Sequence, residues 1–180
     1  RLNVRDEGVK AKLDVLINEL KKNPGIVNVS LATYFPNSVN TQQSPIWKST
    51  TGSTKVSFYT IHTDANYLDV FDIQLVAGRN FIAGNPADRS AFLINETAAN
   101  TYGWDNPVGM QFTGEKGGQK GDTATIIGVI KDMHIADCRL AIEPFRIGYV
   151  VPFAFTLAIK IQPENIPSTL SYIEENYKKL

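Results

Sequence analysis

Apolar residues recur at Val9, Leu13, Leu16, Ile17 and Leu20, with Lys10, Lys12, Asp14, Glu19 and Lys21 on the remaining faces. That spacing predicts an amphipathic helix of about four turns, because residues three and four apart share one side of the spiral. Lys21 and Lys22 sit where the helix dipole favours cations, and Asn23-Pro24-Gly25 ends the pattern. Ile26 to Thr33 then predicts a strand carrying Ile26, Val27, Val29 and Leu31, so the chain opens with a tight helix-to-strand unit. The far end mirrors it. Gly148 to Val151 and Phe153 to Ile161 predict two strands split by Pro152, and Ile166, Leu170, Ile173, Tyr177 and Leu180 mark a closing helix with Pro167 in its first turn.

Between the two ends the pattern shortens. Phe35 to Ser53 is polar, with Ile46 and Trp47 as its apolar anchors, and predicts a long surface excursion at a lobe boundary. Lys55 to Thr63 alternates as a strand partly covered on both faces, Asn66 to Phe71 predicts a helical turn, and Ile73 to Val76 a short strand ending at Gly78-Arg79. A strand ending at Phe92 to Ile94 meets Asn95, a good N-cap for a short helix through Ala98, Ala99 and Tyr102, with Gly103 as its left-handed terminator. In Asn106-Pro107-Val108-Gly109 the proline presets φ and the glycine is free to take positive φ before a strand from Met110 to Thr113. Thr123 to Lys131, with Ile126, Ile127, Val129 and Ile130, predicts a strand central to its sheet.

Composition narrows the class. The 180 residues are 43% hydrophobic and 20% charged, ordinary values for a folded piece large enough to bury its own core. Lys plus Arg equals Asp plus Glu at 18 each, so no global field recruits nucleic acid or an anionic membrane. No apolar run reaches the length of a membrane span and no signal peptide opens the chain. The start at Arg1 without a methionine suits a piece cut from a larger protein, such as a loop excised between two transmembrane helices; a trimmed complete soluble protein is the alternative. Cys138 excludes an internal disulfide, and the expectation for it is a buried structural thiol.

Candidate chemistry is sparse. His62 and His134 have no second ligand at metal spacing, so no zinc site is expected. In Lys131-Asp132-Met133-His134 a continuing strand would point Asp132 and His134 the same way, a base with an orienting carboxylate that suits a small hydrolase. The plainer reading, polar residues fixing a strand exit, is preferred. Gly114 to Asp122 is glycine-rich with two lysines but lacks the spacing of a phosphate loop and reads as a hairpin tip. Gly78-Arg79 reads as a turn with a surface or salt-bridged arginine. Tyr34, Phe35 and Trp47 are expected to be partly buried against the core, with an exposed docking patch as the alternative. No serine elbow or calcium loop is present, and Asn28 and Asn95 read as a strand residue and a helix cap although each opens a sequon.

Three ordered blocks carry a family likeness. Thr63 to Phe81 (TDANYLDVFDIQLVAGRNF), Leu93 to Phe112 (LINETAANTYGWDNPVGMQF) and Ala124 to Phe145 (ATIIGVIKDMHIADCRLAIEPF) together resemble the extracytoplasmic core domain of MacB/FtsX-type ABC transporter permeases, in the form common in Bacteroidetes-like bacteria. The resemblance implies an α+β fold in two lobes. A membrane-proximal α/β lobe would be built from both chain ends, residues 1–36 plus 145–180, and residues 37–144 would form an inserted strand-rich lobe. It marks Gly78, Arg79, Asn95, Glu96, Pro107, Gly109, Gly128, Asp132, His134 and Pro144 as structural positions of the motifs, with no catalytic, cofactor-binding or metal-binding residue. The implied role is mechanical, on the periplasmic face of the bacterial inner membrane. The implied partners are the chain's own transmembrane helices, a cytoplasmic ATPase subunit, a second permease copy, and a periplasmic adaptor or lipoprotein. A periplasmic sensor or ligand-binding module is the leading alternative.

Overall fold

The stripe at Leu13, Leu16, Ile17 and Leu20 forms helix α1 (Leu13–Leu20), with Leu16 and Leu20 buried. The computed structural model describes residues 2–3, 12–36, 42–43, 47–51, 54–116, 119–135, 137–149 and 156–179; the start of the expected helix at Val9 lies outside them. After α1, Asn23 Oδ1 accepts from Gly25 N at 2.8 Å and the Asn23 carbonyl from Ile26 N at 3.0 Å, which turns the chain directly into strand β2 (Ile26–Ala32); the two-residue strand β1 (Leu2–Asn3) precedes the helix. In β2 both Ile26 and Val29 face the core while Val27 is exposed. The ladder to the last strand slips by one residue there, and an extra residue reverses the alternation.

The remaining strands are β3 (Gln42–Gln43), β4 (Trp47–Ser49), β5 (Lys55–Val56), β6 (Tyr59–Thr63), β7 (Leu75–Gly78), β8 (Ala91–Asn95), β9 (Gln111–Lys116), β10 (Gln119–Ile130), β11 (Phe145–Tyr149) and β12 (Thr156–Ile161). Helices α2 (Tyr67–Val70), α3 (Glu96–Thr101) and α4 (Ile166–Lys178) and a 3₁₀ turn at Pro86–Ser90 complete the described elements. All strands join one mixed sheet in the order β1-β12-β2-β6-β11-β8-β10-β9-β4-β5, with β3 on β6 and β7 on β10. This is the α+β architecture the motifs imply, and β10 lies centrally, paired with β7, β8 and β9.

Three apolar clusters divide that sheet. One is built only from the chain ends: Leu16, Leu20, Ile26, Val29, Leu31, Leu157 and Ile173. The other two lie along the central strands, one around Tyr67, Leu93, Phe145 and Ile147, the other around Trp47, Phe58, Phe92, Phe112 and Ile126. In β8 successive residues alternate between these two, so the strand is buried on both faces and reads as a continuous apolar run. The ladder between β2 and β6 is a single pair, Ala32 with Thr63, and it is the seam between the end-built unit and the rest.

Several expectations change. The polar excursion after Phe35 hides strands β3 and β4; Trp47 pairs with Gly114 of β9 and is buried, as expected of an anchor. The Lys55 to Thr63 strand is broken at Ser57, whose N–H donates to the Tyr102 hydroxyl (3.1 Å) while that hydroxyl donates to the Ser57 carbonyl (2.7 Å), standing in for a ladder partner. Strand β11 begins at Phe145 rather than Gly148 because Tyr59 N donates to the Pro144 carbonyl (3.1 Å) and the parallel ladder with β6 starts there; residues 150–155 lie outside the described residues. In α4 the inward residues are Thr169, Ile173 and Asn176, while Ile166 and Leu170 are exposed, so the face is rotated from the expected stripe. Thr169 lies where a Cβ on Gly25 would meet its Oγ1 at 2.5 Å, and the Tyr172 hydroxyl donates to the Glu19 carbonyl (3.0 Å). Those two contacts set the helix rotation. Cys138 is exposed, in a turn where Asp137 accepts from Arg139 N (2.9 Å), and not the buried thiol expected.

Candidate functional site

Asn95 is fully buried and uses its side chain completely. Its Oδ1 accepts from Ala98 N (3.2 Å), capping α3, and from Phe145 N (3.0 Å), which starts β11. Its Nδ2 donates to Asp132 Oδ1 (2.7 Å) and to the Glu143 carbonyl (3.2 Å). Asp132 also accepts from Thr97 N (2.9 Å) and Thr97 Oγ1 (2.8 Å), and its own N–H donates to Glu96 Oε2 (3.3 Å). Four motif positions, Asn95, Glu96, Asp132 and Pro144, thus meet where β8, α3, the exit of β10 and the entry of β11 converge. A buried network with every member satisfied holds its backbone segments in one arrangement.

The Asp132–His134 hydrogen bond does not form. The strand ends at Ile130, and both Asp132 oxygens are taken by Asn95 and Thr97. The arrangement is that of a strand exit pinned by polar groups, and His134 stands apart from the Asn95 junction.

A second junction gathers Gly78, Arg79 and Gly128. Gly78 has φ of +76° and pairs with Gly128; a Cβ on Gly78 would lie 2.2 Å from the Ile127 carbonyl, and one on Gly128 2.7 Å from the Arg79 carbonyl. Two backbones therefore touch where side chains would stand. Arg79 then forks onto Asp88, with Nη1 to Oδ2 at 3.0 Å and Nη2 to Oδ1 at 2.6 Å. Asp88 also accepts from Ile82 N (2.7 Å) and Asn85 Nδ2 (3.1 Å), and the Arg79 guanidinium holds its carboxyl below the ordinary range. Pro107 and Gly109 form a turn in which Met110 N donates to the Pro107 carbonyl (3.1 Å), Gly109 takes φ of +93°, and Gly109 N docks on the Ile126 carbonyl (2.8 Å). The proline is thus the first residue of the turn and not its second.

Sequence reasoning passed over two further groups. Asp64 spans the Ala32–Thr63 seam: it accepts from Ser30 Oγ (2.7 Å), Leu31 N (2.9 Å) and Asn66 N (3.0 Å), while Asp64 N donates to the Leu31 carbonyl (3.1 Å). Burial pushes its carboxyl up despite those donors. Asn66 Nδ2 to the Val29 carbonyl (3.0 Å) and Thr63 Oγ1 to the Leu31 carbonyl (2.8 Å) stitch the same seam. The signal available in the sequence was Asp64-x-Asn66 after a strand, an Asx-turn pattern. The other is Arg146 of β11, whose guanidinium carbon lies 4.2 Å from the centre of the Trp47 ring, with Nε donating to Thr60 Oγ1 at 3.1 Å. Burial lowers its pKa to about 10, and burial together with Arg146 lowers that of His62 to about 4. A lone arginine between Phe145 and Ile147 in an apolar strand was its only mark.

The fold is similar to those of solved domains of transporters and of a protein described as a permease. The periplasmic region of MacB from Actinobacillus actinomycetemcomitans aligns with a TM-score of 0.61 at 17% identity, over 98% of this chain and 80% of that one. The extracellular domain of the noncanonic ABC-type transporter YknZ from Gram-positive bacteria aligns at 0.58 and 16%, over 92% and 83%. A domain of a protein described as a permease from Porphyromonas gingivalis aligns at 0.60 and 18%, over 87% and 70%. No curated protein matches the chain. The sequence profile of the MacB-like periplasmic core domain matches residues 9–169, and the chain belongs to that family. It is homologous to the periplasmic domains of ABC-type transporter permeases, as the motif blocks indicated. Among the described residues no helix is long and apolar enough to cross a membrane.

Proposed function

We propose that the domain is a non-catalytic lever: it sits on the periplasmic face of the inner membrane and passes an ATP-driven movement of its permease subunit to a periplasmic substrate or partner. The lobes take part in this as an end-built unit and an inserted unit, with the seam at the Ala32–Thr63 pair and β11 on the inserted side. The observation that carries the reading is the stitching of that seam by Asp64, Asn66 and Thr63. One backbone pair alone would let the halves swing and absorb a displacement; these side-chain hydrogen bonds, together with those of Thr33 with His62, make the junction stiff. The Asn95 and Arg79–Asp88 junctions do the same farther along the sheet. An ATP-linked change acts through such a body when its two placements differ in interface free energy by a few kcal/mol. The acting partners in this reading are the chain's own transmembrane helices, a cytoplasmic ATPase subunit, a second permease copy and an adaptor or lipoprotein.

Spin labels at Lys22 and Lys55, on opposite sides of the seam, test it in the full permease reconstituted with its ATPase. The expected result is an unchanged distance within the domain on ATP binding, together with a nanometre-scale change between the two copies' domains. Asp64→Ala is expected to broaden the internal distance and weaken ATP-coupled transport. An internal distance that changes with ATP in the unaltered protein, or domains that stay still, overturns the lever.

A further inference from the structure

Strand β11 would be expected to be apolar on both faces, since it lies between β6 and β8 in the middle of the sheet. One face obeys, with Phe145 and Ile147 in the core. The other carries Arg146 and Gly148. The Arg146 guanidinium stacks on Trp47 at 4.2 Å and approaches Phe92 at 5.5 Å, and Nε is taken by Thr60 Oγ1. The two terminal nitrogens, with four of the five N–H groups, have no hydrogen-bond partner among the described residues, and the side chain is half-buried. Aromatic faces offset only part of the cost of a part-buried cation, well short of what an anion supplies.

No carboxylate among the described residues pairs with this arginine. Among the described residues no acidic group acts on it, and burial alone moves its pKa. In sequence, residues 37–46 before Trp47 and 150–155 after β11 contain no Asp or Glu. The neighbouring His62, whose ring lies 3.4 Å from where a Gly148 Cβ would stand, is neutral at physiological pH, so the site carries one positive charge and not two. A planar fork with one charge matches a carboxylate, which offers two oxygens at the spacing of the two Nη atoms; a phosphate dianion would leave one charge uncompensated.

We infer that Arg146, braced by Trp47 and Thr60, is a recognition site for a carboxylate supplied from outside this chain, either a free carboxylate solute or a Glu or Asp side chain of a protein segment. The site is independent of the lever: it concerns what the domain holds and not how it moves.

The test is the Nε–Hε resonance of Arg146 in the ¹⁵N-labelled domain, followed on addition of acetate, of the peptide acetyl-Gly-Glu-Gly-amide, of its Gln counterpart and of inorganic phosphate, at constant chloride. Expected are saturable shifts with acetate and the Glu peptide, no saturable shift with the Gln peptide, and binding about tenfold weaker in Arg146→Lys, which keeps the charge and loses the fork. Equal affinity for acetate and the Glu peptide assigns a free solute; tighter binding of the peptide assigns a protein segment. Arg146→Met is expected to melt no lower than the parent without carboxylate and to lose the rise in melting temperature that carboxylate gives the parent. The inference is overturned by an absence of saturable shift in the unaltered domain, by phosphate binding as tightly as acetate, by carboxylate binding that persists in Arg146→Met, or by Arg146→Met failing to fold, which would make the arginine a structural strut.

Discussion

Asn95 Nδ2 donates to Asp132 Oδ1 across 2.7 Å, joining the cap of α3 to the exit of the central strand 37 positions later. The contact needs a donor facing an acceptor. Asn95→Asp is almost isosteric yet places two acceptors against each other in a buried site, and a loss of about 3 kcal/mol at neutral pH is expected. The repulsion holds one of the two carboxyls protonated, with a folded-state pKa above its unfolded value, so the deficit shrinks as pH falls through that raised value. Urea unfolding at neutral pH and at about pH 4.5 checks both the size and the sign. A variant as stable as the parent at neutral pH would remove the Asn95 junction as a stiffening element.

Gly78 separates conformational strain from steric overlap. Gly78→Ala puts a methyl 2.2 Å from the Ile127 carbonyl and also holds positive φ, and a loss of about 3 kcal/mol or more is expected. Gly84 has nearly the same φ, +77°, with nothing within 4 Å, so Gly84→Ala should lose only the conformational part, about 1 kcal/mol. Equal losses in chemical denaturation would show that β7 gives way and that its contact with β10 is not tight.

His62 makes the domain sensitive to mild acid. Its pKa is about 4 folded against 6.5 unfolded, so the unfolded chain binds the extra proton as pH falls below about 6.5, and stability is lost between there and about 4. The loss by about pH 5 is at most about 2 kcal/mol, reduced by the part of the ring that water screens. His62→Gln should flatten the pH profile of the melting temperature over that interval; Asp64, whose carboxyl is raised, acts in the opposite sense and cancels in the comparison of the two proteins. An unchanged slope in the variant would assign the pH dependence elsewhere.

The inward face of α4 can be read from two substitutions. Ile173→Ala opens the end-built core and should cost about 2–4 kcal/mol, whereas Leu170→Gln, on the exposed side, should stay within about 0.5 kcal/mol. The reverse ranking would restore the stripe that the apolar residues alone suggest.

That helix also shows where the sequence stops being legible. Caps and turns were readable because their causes lie within a few residues: Asn95 before Ala98, Asn23 before Gly25, Gly109 after Pro107. The rotation of α4 depends on Gly25 and Glu19, more than a hundred residues away, and no local periodicity encodes it. Strands β3 and β4 were hidden for a related reason: polar residues such as Gln42 and Gln43 enter the sheet through backbone pairing with β6. Motif positions were visible as blocks, but that Asn95, Glu96, Asp132 and Pro144 close on one another follows only from the register of β8, β10 and β11. Arg146 belonged to no pattern and Asp64 only to a local turn pattern, since each matters through contacts with strands distant in sequence.

Among the described residues the sheet ends at both margins in strands of two residues, β1 and β5, and β7 pairs on a ladder that slips at Val129. Two described residues at a margin offer an incoming strand few backbone groups to hold on to. Two copies of this domain brought side by side would therefore keep their sheets apart.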